Sequence, residues 1–182
     1  MAEELVDVVD EEGTPTGERV GREKAQQEGT WHLTVHLWIY TPQGEVIVQK
    51  RREDKPIFPG KLDASVGGHL HAGETPTRAG VREAKEELGL DIAEGDLEFV
   101  KRRRAVFHPR PGWTNREVNE VFTLRYDGDK KDLKRQEEEI DELIFLSFED
   151  LERRLGESPG SFTHTAEYWQ DMLQEMKKRL YR

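Results

Sequence analysis

From Trp31 to Tyr40 the chain alternates with a period of two: Trp31, Leu33, Val35, Leu37 and Ile39 take one face and His32, Thr34, His36, Trp38 and Tyr40 the other. A helix repeats at 3.6 residues, so this segment reads as a strand, and the clearest one in the chain. The turn residues Thr41-Pro42-Gln43-Gly44 follow, and Glu45 to Arg51 reads as the returning strand of a hairpin. Leu5, Val6, Val8 and Val9 form a shorter strand that enters a second hairpin at Glu12-Gly13-Thr14-Pro15, placed at a sheet edge. Pro56, Pro59 and Gly60 interrupt the chain before a short apolar piece, Leu62 to Val66. Thr75 opens a helix with Pro76 at its first position and Gly89 as its stop. Leu97 to Val106, Glu117 to Tyr126 and Leu143 to Phe148 read as strands, Asp127-Gly128-Asp129 as a turn, Lys130 to Asp141 as an exposed charged stretch, and Thr163 to Leu180 as a closing helix.

Strands and helices are interspersed without strict alternation, which predicts an α+β fold with a mixed β-sheet between helices. With 182 residues the expectation is one domain over 1–182, carrying an N-terminal β-hairpin extension and a C-terminal helix.

Composition removes several classes of function. No apolar run approaches the ~20 residues of a membrane span, and the start Met-Ala-Glu-Glu-Leu-Val-Asp has no export or transit character, so a cytoplasmic location is expected. The absence of cysteine excludes disulfides, thiolate metal sites and cysteine nucleophiles. A net charge of -10 argues against a nucleic-acid polymer as partner, because such binding is driven by basic residues displacing counterions. Two local basic clusters, Arg51-Arg52 and Lys101-Arg102-Arg103-Arg104, are candidates for meeting a small phosphate ligand or are solvated faces. Monomer and homodimer are both compatible with the sequence.

The chemistry lies in Gly68 to Leu90. Glu83, Glu86 and Glu87 stand at i, i+3 and i+4 of the expected helix, so three carboxylates share one face about 5–6 Å apart and repel one another. A hard divalent cation turns that repulsion into binding, and an all-oxygen ligand set points to Mg²⁺, with Mn²⁺ as a substitute, rather than zinc. Magnesium binds through a few carboxylates and substrate phosphates, so the face suits holding a diphosphate and activating water against it. Arg82, four residues before Glu86, can charge-balance the cluster, and Gly68 and Gly73 let the preceding loop approach it. Without context, a run such as Arg-Glu-Ala-Lys-Glu-Glu is usually a solvated helix face.

The spacing changes that reading. The segment resembles the Nudix box, Gly-x5-Glu-x7-Arg-Glu-U-x-Glu-Glu-x-Gly-U with U a bulky aliphatic residue, and only Ala84 departs from it. At average residue usage such a match arises by chance at about 10⁻⁹ per starting position. The resemblance implies an α/β/α sandwich with a mixed sheet and hydrolysis of a diphosphate linkage in a small nucleoside diphosphate derivative or related metabolite. It further implies that Glu83, Glu86 and Glu87 bind the metal, with one of them doubling as the base, that Gly68 lends its carbonyl, that Arg82 orients the glutamates and that Glu74 supports the loop or the outer shell of the metal. Glu117 and Glu120, on a later strand, are candidates for a further metal ligand and a base.

The flanks, Trp31-His32-Leu33, Phe58-Pro59-Gly60-Lys61, Ser65-Val66-Gly67-Gly68-His69 and Asn115-Arg116-Glu117-Val118, are similar to isopentenyl diphosphate isomerase. That likeness places His32, His69 and Glu117 where isomerase metal ligands fall. The isomerase uses a cysteine where this chain has Gly67, and a glutamate where it has Asn115. An intact box without that acid favours hydrolysis over the alternatives, an isomerase-like enzyme or a non-catalytic module that senses a metabolite. Trp38, Phe58 and Trp113 are candidates for stacking a base or for core packing.

Overall fold

The computed structural model describes residues 4–182. In chain order its elements are β1 (Leu5–Val9), β2 (Pro15–Gly21), α1 (Arg22–Glu28), β3 (His32–Tyr40), β4 (Glu45–Arg51), β5 (Leu62–Asp63), β6 (Val66–His69), α2 (Pro76–Leu88), β7 (Glu98–Phe107), β8 (Asn115–Arg125), β9 (Ile140–Ser147), α3 (Phe148–Glu157) and α4 (Ala166–Leu180).

The strand with the clearest alternation, β3, organises the sheet. It runs parallel to β8 along its whole length, from His32 beside Glu117 to Tyr40 beside Arg125. Its other edge is shared by two antiparallel partners: β6 pairs with Thr34 to Leu37, and β4 pairs only at Ile39 and Tyr40. Strand β9 extends the sheet beyond β4, β7 extends it beyond β8, and the β1–β2 hairpin joins at Val8 beside His32. Parallel and antiparallel pairing therefore mix in one curled sheet.

Both faces of β3 are covered, and the alternation divides them. Val35, Leu37 and Ile39 pack with Ala79, Ala84 and Leu88 of α2. Trp38 and Tyr40 pack on the opposite face with Trp169, Met172 and Met176 of α4. There the Trp38 and Trp169 rings meet edge to face at 4.6 Å, a geometry worth about 0.5–1.5 kcal/mol beyond area burial. The result is an α+β sandwich of a mixed sheet between helices. Among the described residues, no helix is long and apolar enough to cross a membrane.

Two elements depart from the sequence reading. Phe148, expected to close a strand, instead starts α3, because Ser147 caps that helix by accepting the Asp150 amide at 3.0 Å. Its Phe148, Leu151 and Leu155 are buried on one side. The short helix α1, ended by Gly29 in the left-handed region at φ 74, lies where no element was expected.

One part of the α4-facing sheet surface is not apolar. His32, Thr34 and His36 of β3 and Asn115, Glu117 and Asn119 of β8 are all buried there.

Candidate active site

Helix α2 brings the predicted glutamates to the sheet. Thr75 caps it by accepting the Arg78 amide, Pro76 occupies the first turn, and Gly89 ends it in the left-handed region at φ 67. Its inward face is small. At Gly80 a Cβ would meet Leu97, just ahead of β7, at 3.0 Å and Val35 of β3 at 3.6 Å, so the helix packs tightly here. Ala84, the one departure from the box, is fully buried in the same cluster.

On this anchored helix the three carboxylates reach different depths. Glu87 is 7% exposed and accepts hydrogen bonds from Gln49 Nε2 and the Gly67 amide. Glu83 lies over Gly68, where any side chain would drive its Cβ into the Glu83 carboxylate. Glu86 is exposed. Arg82 ties the group together: its guanidinium donates to Glu74 twice at 3.0 Å, to Glu83 at 2.8 Å, to Glu86 at 3.2 Å and to the His69 carbonyl at 2.9 Å. Glu74 also accepts the His71 amide at 3.0 Å, closing the loop ahead of the helix.

The electrostatics follow from this packing. Burial pushes the Glu83 carboxyl up to about 7, Glu86 adds to the shift, and the Arg82 guanidinium opposes it. Burial, and then the neighbouring Glu83, hold Glu87 well above the usual carboxylate range despite its bonds to Gln49 and Gly67. Burial works against the charge on Arg82, yet its bonds to Glu74 and Glu83 raise its pKa above the ordinary arginine value. Two inward carboxylates that resist ionisation, beside a backbone kept clear by Gly68, suit a divalent cation, which would favour their charged forms.

The predicted residues of β8 do not join this cluster. Glu117 faces the other side of the sheet, where its carboxylate accepts the side-chain amides of Asn115 at 2.7 Å and Asn119 at 3.0 Å. With His32 and His69 it offers ligand atoms that all lie within 4.8 Å of one another. The two imidazoles stack at 5.2 Å. His32 Nδ1 lies 2.8 Å from the Thr30 carbonyl and must donate to it, which leaves the buried Nε2 lone pair without a partner. Burial, and then His32, hold the His69 pKa well below its usual value. Glu120 alternates to the α2-facing side and is ion-paired to Arg102, so as the free base expected from sequence it is already engaged. The five metal candidates thus fall into two groups: Gly68, Glu83, Glu86 and Glu87 in one, Glu117 in the other.

Several polar residues of this region were not singled out from sequence. Asp63 accepts from Arg51 at 3.1 Å and from Thr163 at 2.8 Å. The Tyr168 hydroxyl accepts from Trp38 Nε1 at 3.1 Å and is hydrogen-bonded to His36 Nδ1 at 2.9 Å. His164 packs against His36 at 4.9 Å. None of these stands in a motif; only the pairing of distant segments brings them together.

The family model for the NUDIX domain matches residues 30–166. An uncharacterised Nudix hydrolase of Clostridium acetobutylicum is 32% identical over 158 residues, covering 85% of this chain and 75% of that protein. Nudix hydrolase 3 of Arabidopsis thaliana is 29% identical over 167 residues; the match covers 89% of this chain but 22% of that longer protein. A solved structure from Deinococcus radiodurans superposes with a TM-score of 0.64 at 25% identity, covering 98% of this chain and 100% of that one. With the box on α2 and this fold, the chain belongs to the Nudix family. Within it, the chain is an enzyme of the pyrophosphohydrolase kind.

Proposed function

We propose that the protein hydrolyses the diphosphate linkage of a small nucleoside diphosphate derivative or related phosphorylated metabolite in the cytoplasm, using Mg²⁺ or, in its place, Mn²⁺. The observation that carries this reading is the pair of inward carboxylates, Glu83 and Glu87, set against the Gly67–Gly68 backbone with Glu86 beside them. Glu83, Glu86, Glu87 and the Gly68 carbonyl would hold the cation. When bound, it supplies positive charge to offset the phosphates and acidifies the attacking water. Arg82 fixes the orientation of Glu83 and Glu86 through its hydrogen bonds. One of these glutamates would also take the proton of that water. Glu117, His32 and His69 form a separate three-ligand group that could accept a second cation.

The test is incubation with Mg²⁺ and a panel of nucleoside diphosphates, triphosphates, nucleotide sugars, dinucleotides and isopentenyl diphosphate, following phosphate, diphosphate and isomer formation. Metal-dependent hydrolysis of one class is the expected result. Isomer formation without phosphate release, or no turnover of any compound, would overturn the reading.

A further inference from the structure

The basic run Lys101 to Arg104 lies on β7, and three of its four members have carboxylate partners: Lys101 pairs with Asp171, Arg102 with Glu120 and Arg104 with Glu11. Arg103 has none. Among the described residues, no carboxylate comes within 4.0 Å of its guanidinium, although the residue is half-buried. Its five N–H donors find one acceptor, Asn119 Oδ1 at 3.0 Å. The guanidinium lies over the Tyr168 ring, 4.1 Å from its centre, so its plane is fixed. Glu117 attracts it through space but makes no ion pair with it, its oxygens accepting the two asparagine amides. Burial lowers the pKa of Arg103 itself, with Tyr168 and Glu117 opposing. A partly desolvated cation with idle donors in a fixed plane favours an anion that can accept several hydrogen bonds.

Sheet register relates this cation to the glutamates. Arg103, Asn119, Thr34 and His69 lie opposite one another on β7, β8, β3 and β6. Asn119 links the rung by donating to Thr34 Oγ1 at 2.7 Å. At about 4.8 Å per strand, the Arg103 Cα stands about 14 Å from that of His69. His69 follows Gly68, the glycine under Glu83. The guanidinium lies on the α4-facing side of this rung and Glu83 on the α2-facing side of its β6 end, so a ligand that reaches both passes over the outer edge of β6.

The backbone beside this rung is also unusual. Phe58 at φ 53 and His164 at φ 58 are the two non-glycine residues with positive φ among those described, and their rings lie 5.9 Å apart. Phe58 also packs at 5.4 Å on Phe107, which shares the face of Arg103. Backbone held in a costly region marks a place where the surroundings fix a shape, as ligand clamps do.

We propose that Arg103 is a specificity-determining residue that receives a second anionic group of the substrate, a phosphomonoester carried away from the cleaved diphosphate. This rests on the hydrolase reading above and names the substrate class for that site.

Two arms test it. In EDTA, where the glutamates have no metal with which to recruit phosphate, inorganic phosphate should raise the Tm of the wild type by roughly 2–4 °C over matched sodium chloride. Arg103→Gln should lose that shift and Arg103→Lys should retain part of it. With Mg²⁺, kcat/KM is compared for ADP and CDP against their 3′-phosphorylated counterparts. The wild type should prefer the 3′-phosphorylated member, and Arg103→Gln should reduce that preference about 10- to 100-fold. A phosphate shift that survives in Arg103→Gln, absence of any shift in the wild type, or an unchanged preference overturns the proposal. If neither these nucleotides nor any compound of the wider panel is hydrolysed, the hydrolase reading falls, while the EDTA arm still decides the role of Arg103.

Discussion

Burial, ahead of any neighbouring charge, raises the pKa of Glu87. A carboxyl whose folded pKa is raised above its unfolded value favours folding at low pH; that contribution is lost as pH rises through the folded pKa. Burial raises both Glu87 and Glu83, the latter to about 7. The metal-free wild type should therefore lose stability as pH rises through neutrality, and Glu87→Gln, which removes one of the two charges, should lose less. Melting curves from pH 5.5 to 8.5 in EDTA check this, and adding Mg²⁺ should restore the wild type more than the variant. The residue types and spacing of this group were legible in sequence because a single helix supplies them. The different depths of Glu86 and Glu87 were not, since they depend on Gln49 and Gly67 from other strands.

At the scale of elements, strand β6 and helix α2 must approach without a side chain between them. Gly68→Ala puts a methyl group into the Glu83 carboxylate. The expected outcome is a fall in kcat/KM of about 100-fold, the scale of a misplaced catalytic group, with far-ultraviolet circular dichroism unchanged. Helix α2 could be read to its ends because Thr75, Pro76 and Gly89 are local signals. The start of α3 carries the same kind of signal in Ser147-Phe-Glu-Asp150, but the apolar run Leu143 to Phe148 hid it by continuing past the cap. Ser147→Ala should cost about 0.5–2 kcal/mol in a urea titration, with the midpoint moving and the slope unchanged.

Over the whole molecule, the sheet assembles what no local pattern contains. The alternation in Trp31 to Tyr40 divides β3 correctly between two cores, yet nothing in it says that β8 lies alongside in parallel. That one pairing sets Glu117 beside His32 and sends Glu120 to the other face. The same register leaves Arg103 without a carboxylate while its neighbours in the basic run find theirs. Because the box glutamates and this polar sheet surface come from separate elements, the box could be recognised from sequence while the selecting surface could not. On the proposed function, the α2 carboxylates hold the metal that drives hydrolysis. The most direct test is the rate of phosphoanhydride hydrolysis as a function of Mg²⁺ concentration, in the wild type and in Glu86→Gln. The expected result is no turnover in EDTA, saturable activation of the wild type, and a half-saturating Mg²⁺ concentration at least about tenfold higher in the variant. Turnover that persists in EDTA, or a variant that follows the wild-type Mg²⁺ curve, would contradict it.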